Sequence, residues 1–370
     1  MDEAHVPASP PHILHVIVGL ARGGAETSLR HLITHSDGRL DHTVFCFGKL
    51  GDLGAEMVAQ GLTVYQFGLS LPGILKARQK VTELRPDVLQ GWMYYGNVLA
   101  SVLATTEPVA WNYRSAFADG SQMNSGARAA MDLGRWMHPD TLIFNSHAGQ
   151  DCHQPWLPTH RTQRVIENGV LLPSEPVCER VSRRRKLLEQ YTTAASAELA
   201  ERPWVGLLSR YHPDKGVAHF VAAAQAMGAH ERRPLFVLAG RDMPQHVEAV
   251  DGQLLVFDQV DSAVWLPAFD VLAVASRREG APNVLLEAMA HGVAGVGTDC
   301  GDVTRILDDA ARVCAVDDSS GLVQVIEHAL ADAETYGQRD RMRVSEHYSL
   351  SRCIDAYVDC YTQMLEPRTS

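Results

Sequence analysis

Short apolar runs alternate along the chain with longer segments in which apolar residues recur every three or four positions. The short runs predict buried strands, and the periodic segments predict amphipathic helices. The strands are predicted at residues 13–20, 43–47, 63–67, 88–92, 109–113, 141–145, 205–208, 236–239, 254–257, 271–275, 294–297 and 312–315. Because strands and helices alternate, we predict an α/β fold of Rossmann-like, doubly wound parallel sheets with right-handed crossovers.

The pattern breaks around residues 170–176, where Pro173 and Pro176 indicate a link between two domains. A chain of 370 residues is also too long for one ordinary core. The predicted divisions are a first domain at 1–172, a second at 173–347 and a final segment at 348–370.

Two segments outside the strands carry separate expectations. Residues 1–11 are expected to be a disordered leader. Residues 179–201 predict a charged helical segment with the run Arg183-Arg184-Arg185-Lys186. Two interpretations of this run stay open, a solvated helix face and a basic surface that faces a membrane.

The formal net charge of −11 is unevenly distributed. Residues 1–174 carry 13 Lys and Arg against 15 Asp and Glu, and residues 175–370 carry 20 against 29. This acidic balance argues against a nucleic-acid partner. The nearly neutral first half is the better candidate for peripheral contact with an anionic membrane.

No apolar run approaches the roughly 18 residues of a membrane span. The seven cysteines include no C-x-x-C pair, which fits a reducing cytoplasm, and no histidine spacing suggests a metal site. We therefore expect a cytoplasmic protein, with a peripheral position at the inner membrane face as a further expectation.

Two glutamates stand eight positions apart in the segment at residues 277–292. Glu279 follows a predicted buried strand, Pro282 suits a first helical position, and Gly292 suits a helix C-cap. Glu287 is expected to face inward about two turns down this helix. Backbone N–H groups between two carboxylates suit a phosphate-bearing ligand with hydroxyls at both ends. The alternative is an ordinary loop acid followed by a helix-surface glutamate.

A second charged pair follows the strand at residues 205–208. Arg210 and Lys215 are five positions apart on a predicted strand-to-helix turn, where two cations can reach one dianion. A solvated pair of surface cations is the alternative. Together with Glu279 and Glu287, the pair favours a clamp for a diphosphate.

These motifs resemble the retaining glycosyltransferases of family 4, in particular the bacterial capsule, exopolysaccharide and lipopolysaccharide branch. The resemblance rests on Arg210, Lys215-Gly216, Ser276-x-x-Glu279-Gly280 and Glu287-Ala288-Met289-Ala290-x-Gly292, with further matches at residues 23–26, 111–115, 145–146, 166–170 and 298–302. It implies the GT-B fold, in which two Rossmann-like domains face a central cleft and the final helix at 350–365 crosses back to the first domain.

The resemblance also implies how a UDP- or GDP-sugar is held. Arg210 and Lys215 would stabilise the departing diphosphate with no bound metal and no cofactor. Glu279 would orient hydroxyls of the donor sugar, and Glu287 would bind the ribose. The backbone at Ala281, Asn283 and Val284, and Gly24 of the first domain, would contact phosphate or sugar.

The acceptor implied by the resemblance is a lipid-linked or growing polysaccharide. Asn97, within the segment 92–97, and Arg114 are candidate acceptor-side residues, and Arg114 could also contact the donor. The alternatives are a packed aromatic turn at 92–97 and a structural salt bridge at Arg114. The chain departs from many relatives in having Ala281-Pro282 after Glu279-Gly280 and in lacking a family histidine in the first domain.

Two other functions stay open on the same fold. One is a phosphorylase-like or sugar-phosphate enzyme, and the other is a carbohydrate-binding protein without activity. Binding of a sugar nucleotide would separate the first from a transferase.

Overall fold

The computed structural model describes residues 9–21, 23–116, 125–134, 136–157, 161–174, 179–192 and 197–366. Most of the predicted leader at residues 1–11, and part of the predicted link at 170–176, lie outside the described residues. The chain divides into two compact units, Met1–Gly169 with Leu350–Ser370, and Val170–Ser349.

The first unit is a parallel sheet flanked by helices. Its described strands are β1 (His12–Ile17), β2 (Asp41–Cys46), β3 (Val64–Gln66), β4 (Val88–Trp92), β5 (Val109–Tyr113), β6 (Thr141–Phe144) and β7 (Thr162–Val165). The helices between them are α1 (Gly24–Thr34), α2 (Gly51–Ala59), α3 (Leu71–Leu84), α4 (Met93–Leu103), α5 (Ser125–Gly134) and α6 (His147–His153). The strand order is β3-β2-β1-β4-β5-β6-β7, which reverses between β1 and β4.

The second unit repeats this plan. Its described strands are β8 (Trp204–Leu208), β9 (Leu235–Ala239), β10 (Leu254–Phe257), β11 (Val271–Val274), β12 (Ala294–Thr298) and β13 (Val313–Cys314), in the order β10-β9-β8-β11-β12-β13. The helices are α7 (Arg180–Tyr191), α8 (Ala197–Glu201), α9 (Val217–Ala226), α10 (Ser262–Trp265), α11 (Asn283–Ala290), α12 (Val303–Leu307), α13 (Ser319–Ala331) and α14 (Ala333–His347). The predicted α/β class with doubly wound parallel sheets is confirmed in both units.

Strand β7 is absent from the sequence prediction. It pairs with β6 at the edge of the first sheet, and its sequence Thr-Gln-Arg-Val alternates between exposed and half-buried positions. An edge strand buries little surface, so its sequence contains no apolar run to reveal it.

In the basic run on α7, Arg185 and Lys186 are exposed, as a solvated helix face predicts, but Arg184 departs from both interpretations. Arg184 is 3% exposed and donates to the carbonyl of Ala268 and to the carboxylate of Asp270. Its guanidinium therefore braces the core of the second unit. No helix in the described part of the chain is long and apolar enough to cross a membrane.

The last helix, α15 (Leu350–Leu365), belongs to the first unit although it follows the second along the chain. Its apolar side packs in the same core cluster as Trp92 and Ile13. The Tyr357 hydroxyl accepts from Asn112 Nδ2 at 2.7 Å, and the Tyr361 hydroxyl donates to Gln90. The apolar residues of α15 thus complete one face of the first core.

His15 and His42 of the first unit form a chain of hydrogen bonds that determines which of their ring nitrogens carry a proton. Trp92 Nε1 donates to His15 Nδ1 at 3.1 Å, so that ring nitrogen carries no proton. His15 Nε2 must then donate to His42 Nδ1 at 3.0 Å, and His42 Nε2 donates to Ser36 Oγ at 3.0 Å. Both rings are therefore neutral.

We expect the first unit to lose stability as the pH falls from about 6.5 towards 4. Burial lowers the pKa of His42 from 6.5 to about 4 and that of His15 well below its usual value. The unfolded chain then binds more protons than the folded chain, and His42 alone should cost about 3 kcal/mol of unfolding free energy across this window. Urea unfolding at a series of pH values measures the loss.

His42→Asn should make this pH dependence shallower. His138→Asn, at an exposed histidine of the same unit, is the matched control and should leave the slope unchanged. If the unfolding free energies of His42→Asn and the parent protein fell equally with falling pH, the lost stability could not be assigned to the histidine chain.

Candidate functional site

The site of the second unit lies where its strand order reverses, between the neighbouring strands β8 and β11. The helix after β8 is α9, which packs on one face of the sheet, and the helix after β11 is α11, which packs on the other. The two helices therefore leave the carboxyl ends of neighbouring strands on opposite faces of the sheet, and this is the usual place of the ligand site in a doubly wound sheet.

The loops after β8 and β11 are fastened to each other. Arg277 N donates to Asp214 O at 2.7 Å, and the Arg278 guanidinium pairs with the Asp214 carboxylate. Gly216 has φ +60°, and a Cβ there would lie 1.7 Å from the carbonyl oxygen of Ala275. Only glycine permits this close approach, so the position of one loop fixes the other.

Lys215 and Glu279 meet across this junction. Lys215 Nζ lies 2.6 Å from Glu279 Oε1, and Ser276 Oγ donates to the same oxygen at 2.7 Å. The side chains of Lys215 and Glu279 are 24% and 14% exposed, so both keep some access to solvent. An ammonium group has three N–H donors, so Lys215 can bind a ligand anion while it remains paired with Glu279.

Arg210 stands apart from this pair. Its side chain is exposed, and it has no ion pair or hydrogen bond from its guanidinium among the residues that the structure describes. The structure therefore brings Lys215 and Glu279 together but does not bring Arg210 to them.

Glu287 lies in α11, and a serine of α10 holds its side chain. It is the fifth residue of α11, so it lies one turn into the helix rather than the expected two. Its Oε2 accepts from Ser262 Oγ of α10 at 3.2 Å. Burial raises the pKa of Glu287, and the charge of Asp261 raises it further. Glu287 thus offers a sheltered carboxylate to a hydroxyl-bearing ligand.

Helix α11 begins and ends at defined caps. Pro282 is the N-cap residue with φ −72° and ψ 111°, so the helix begins at Asn283 and not, as predicted, at the proline. Ala281 precedes the cap, and Val284 lies in the first turn. At the other end, Gly292 has φ +69°, and the bonds from Gly292 N to Met289 O and from Val293 N to Ala288 O form a Schellman motif.

Cys300 is a buried cysteine near Glu279 and Lys215. Burial raises the pKa of this thiol to about 12. The thiolate is the reactive form, so Cys300 stays protonated near neutral pH. No group of three or more His, Cys, Asp or Glu that could hold a metal ion occurs in the described ranges.

In the first unit, Gly24 is the first residue of α1 and lies at the carboxyl edge of its sheet. Arg114 follows β5 at the same edge, and its guanidinium binds Ser28 Oγ at 2.6 Å and Asn168 Oδ1. It also lies 5.5 Å above the ring of Trp92. Arg114 therefore joins α1 to the segment after β7, a bracing role by hydrogen bonds rather than a salt bridge.

Asn97 does not suit the acceptor-side role suggested for it. It is 1% exposed, its Oδ1 accepts from Asn112 N at 3.0 Å, and its Nδ2 donates to Asn112 O at 3.4 Å. The segment 92–97 is also no loop, because α4 begins at Met93 directly after β4. Asn97 fastens α4 to β5.

Three residues that shape the site carry no assigned role in the sequence analysis. They are Asp214, Ser262 and Ser276, which position the two loops, Glu287 and Glu279 respectively. Ser276 is part of the motif that contains Glu279, and Asp214 directly precedes Lys215, so their positions in the sequence were a signal for both residues. Ser262 lies 25 positions before Glu287, and no local pattern marks it.

The predicted GT-B fold is confirmed by the two Rossmann-like units together with the alignment to solved structures. Among solved structures, HepE of Anabaena in complex with UDP-glucose has this fold. It aligns with a TM-score of 0.78 at 18% identity, over 95% of this chain and 99% of that chain.

Residues 202–332 match the family model described as Glycosyl transferases group 1. N-acetyl-alpha-D-glucosaminyl L-malate synthase of Bacillus anthracis is 30% identical over 125 residues, which are 32% of each chain. Vi polysaccharide biosynthesis protein VipC/TviE of Salmonella typhi is 28% identical over 190 residues, which are 46% of this chain and 32% of that protein. The matches therefore span about a third of the length of either relative. The residues that match the family model lie within the second unit and include the loops after β8 and β11.

Proposed function

We propose that this protein is a retaining glycosyltransferase of family 4. It transfers a sugar from a nucleoside diphosphate sugar to a lipid-linked or growing polysaccharide acceptor in cell-surface glycan synthesis, at the cytoplasmic side of the membrane. The observation that carries the proposal is the pairing of Lys215 with Glu279 at the strand-order reversal of the domain that matches group 1 glycosyl transferases. Lys215 is a cation that can bind phosphate, and it lies beside Glu279, a carboxylate that can accept hydrogen bonds from sugar hydroxyls.

The cations act on the leaving group. Cleavage of the bond between the sugar and the diphosphate leaves negative charge on the diphosphate and positive charge on the sugar ring. Lys215 is already oriented by Glu279, and the exposed Arg210 reaches the same anion from solvent. Fixed donors aimed at developing charge lower the barrier without reorganisation, and the amino end of α11 adds its dipole. This charge is sufficient without a bound metal.

The two carboxylates act on opposite ends of the donor. Glu279 accepts hydrogen bonds from hydroxyls of the transferred sugar, beside the phosphate-binding Lys215. Glu287, sheltered against Ser262, accepts from the ribose. Backbone groups at Ala281, Asn283 and Val284 contact the phosphate or the sugar between them, while the contact of Gly24 with the phosphate stays a prediction.

The comparisons support this choice of donor and acceptor. HepE was crystallised with UDP-glucose, and two curated relatives are named N-acetyl-alpha-D-glucosaminyl L-malate synthase and Vi polysaccharide biosynthesis protein. These names favour a nucleotide-sugar donor and a glycan product. They do not choose between UDP and GDP, so both are tested.

A thermal-unfolding screen of UDP- and GDP-sugars tests donor binding. A ligand at one hundred times its dissociation constant should add about 2.7 kcal/mol to the unfolding free energy. The stabilising donor is then incubated with membrane extract in excess EDTA, and the anomeric configuration of the product is read by NMR. Loss of transfer in EDTA with rescue by Mn²⁺, or an inverted product, would contradict the proposed class.

We expect Glu287→Gln and Glu279→Gln to separate the two binding roles. Glu287→Gln should weaken binding of free UDP or GDP by about tenfold, since it replaces one charge-assisted hydrogen bond. Glu279→Gln should leave free-nucleotide binding unchanged and lower transfer. Calorimetry with the bare nucleotide measures the difference, and an equal loss of affinity in both variants would refute these roles.

A further inference from the structure

Three arginines of the second unit lie at the carboxyl end of α11. Arg180 of α7 donates to Gly292 O at 2.7 Å. Arg341 of α14 donates to Ala290 O at 2.6 Å. Arg183 stands one turn after Arg180, so these two side chains share one face of α7. Two helices thus bring guanidinium groups to the end of a third.

His291 shows that Arg183 acts at this same place. Burial is the main cause that lowers the pKa of His291, and the positive charges of Arg183 and Arg341 add to it, so that the pKa falls to about 4. The histidine is therefore neutral near pH 7. None of the three arginines forms an ion pair with a carboxylate in the part of the chain that the structure describes. The positive charge at this end of α11 is thus left without a counter-ion.

Helix capping accounts for only part of this charge. The carboxyl end of a helix carries about half a unit of negative charge, which attracts cations. Arg180 and Arg341 satisfy carbonyl groups there, whereas the Arg183 side chain donates no hydrogen bond within the described ranges. The Nε atoms of Arg180 and Arg183 are both buried and without a partner. Half-buried cations with unused N–H donors indicate a site for an anion.

This place is separate from the proposed donor site. Helix α11 begins after the carboxyl end of β11 and ends just before β12, and these two strands are parallel. Its ends therefore lie at opposite edges of the sheet, and its eight residues span about 12 Å. The loops that carry Lys215 and Glu279 are at the amino end of the helix. The three arginines are at the other end.

We propose that Arg180, Arg183 and Arg341, here named the α11 anion site, bind the phosphate group of a small soluble ligand other than the sugar donor. Planar guanidinium groups bind phosphate oxygens through pairs of N–H donors. A phosphate dianion also balances most of the charge that the end of α11 leaves uncompensated. Chloride or a single carboxylate would balance less of it.

Thermal unfolding of the full-length protein in inorganic phosphate tests the proposal. Potassium phosphate is compared with potassium chloride and potassium acetate at equal ionic strength. Phosphate should raise the unfolding midpoint more than the other salts, because a ligand that binds only the folded chain stabilises it. Lys215→Gln removes a cation of the proposed donor site and should leave this response unchanged, so the result is independent of the proposed function.

Arg183→Gln distinguishes a binding cation from a structural one. Without phosphate, this variant should unfold at the temperature of the parent protein or above it, because it removes a cation that repels Arg180 and Arg341. Its affinity for phosphate should fall by about tenfold or more, since a charge-assisted hydrogen bond is lost. Phosphorus NMR of inorganic phosphate measures that affinity. Lys186→Gln, at an exposed residue of the same helix, is the matched control and should bind phosphate like the parent protein.

Three results would overturn the proposal. Phosphate may stabilise the parent protein no more than chloride and acetate do, or Arg183→Gln may respond to phosphate as the parent does. Loss of the response in Lys215→Gln would assign the phosphate to the donor site instead. An unfolding temperature of Arg183→Gln below that of the parent without phosphate would likewise assign Arg183 to the stability of the fold and not to a ligand.

Discussion

Replacing Lys215 by alanine should lower the turnover of sugar transfer by about 10²–10³, comparable with removing one oxyanion-stabilising donor. The same loss is expected for Arg210→Ala, because both cations are proposed to stabilise the departing diphosphate. In Lys215→Ala the carboxylate of Glu279 also loses a partner at 2.6 Å, which releases the side chain proposed to orient the sugar. Steady-state kinetics with the donor found by the thermal screen measure both effects.

Matched substitutions control for the general loss of positive charge. Lys186→Ala and Arg305→Ala remove exposed cations from the same unit and should leave turnover unchanged. Circular dichroism establishes that the variants fold. Turnover near the parent value in both Lys215→Ala and Arg210→Ala would refute the diphosphate clamp, whereas loss in Lys215→Ala alone would restrict it to one cation.

Replacing Asp340 by alanine should destabilise the second unit by about 3 kcal/mol, because it removes the buried partner of a buried guanidinium and leaves Arg312 paired with the less buried Asp309, 3.2 Å from its Nε. Arg312 and Asp340 are both 1% exposed, and Arg312 Nη1 lies 2.7 Å from Asp340 Oδ2. The same carboxylate oxygen accepts from Gly295 N at 2.9 Å, so the pair joins α14 to β12. Chemical denaturation measures the loss.

The exposed pair of Arg185 and Glu201 provides the comparison. Their side chains are 52% and 56% exposed, and Glu201→Ala should cost no more than about 1 kcal/mol. The double variant Arg312→Met with Asp340→Leu should recover much of the stability lost in Asp340→Ala, because it removes both buried charges. If Asp340→Ala and Glu201→Ala lost similar amounts of unfolding free energy, burial of an ion pair would not determine the cost of breaking it.

The strands could be predicted from the sequence because each central strand is buried on both faces. Val88–Trp92 and Val109–Tyr113 occur at the predicted positions, and both are buried throughout. The edge strand β7 lacks that signal. The burial of Arg184 is equally invisible in the sequence, since its partners Ala268 and Asp270 are more than eighty positions away.

The site could be predicted as a set of motifs but not as a set of contacts. Glu279 and Lys215 are separated by 64 positions, and they meet only because β8 and β11 are neighbours while β9 and β10 lie on the other side. Strand order depends on long-range packing that no local pattern encodes. For the same reason Asn97 gave no sign that both of its polar atoms are used by Asn112.

Helix α15 makes the completion of the first unit wait until the second unit has been synthesised. Its residues cover Trp92 and its neighbours, yet they leave the ribosome only after the whole second unit has been made. A nascent chain therefore carries an incompletely covered apolar face throughout translation of residues 170–349. A premature stop anywhere in the second unit would deprive the first unit of this helix as well, so damage to one half of the gene disables both halves of the protein.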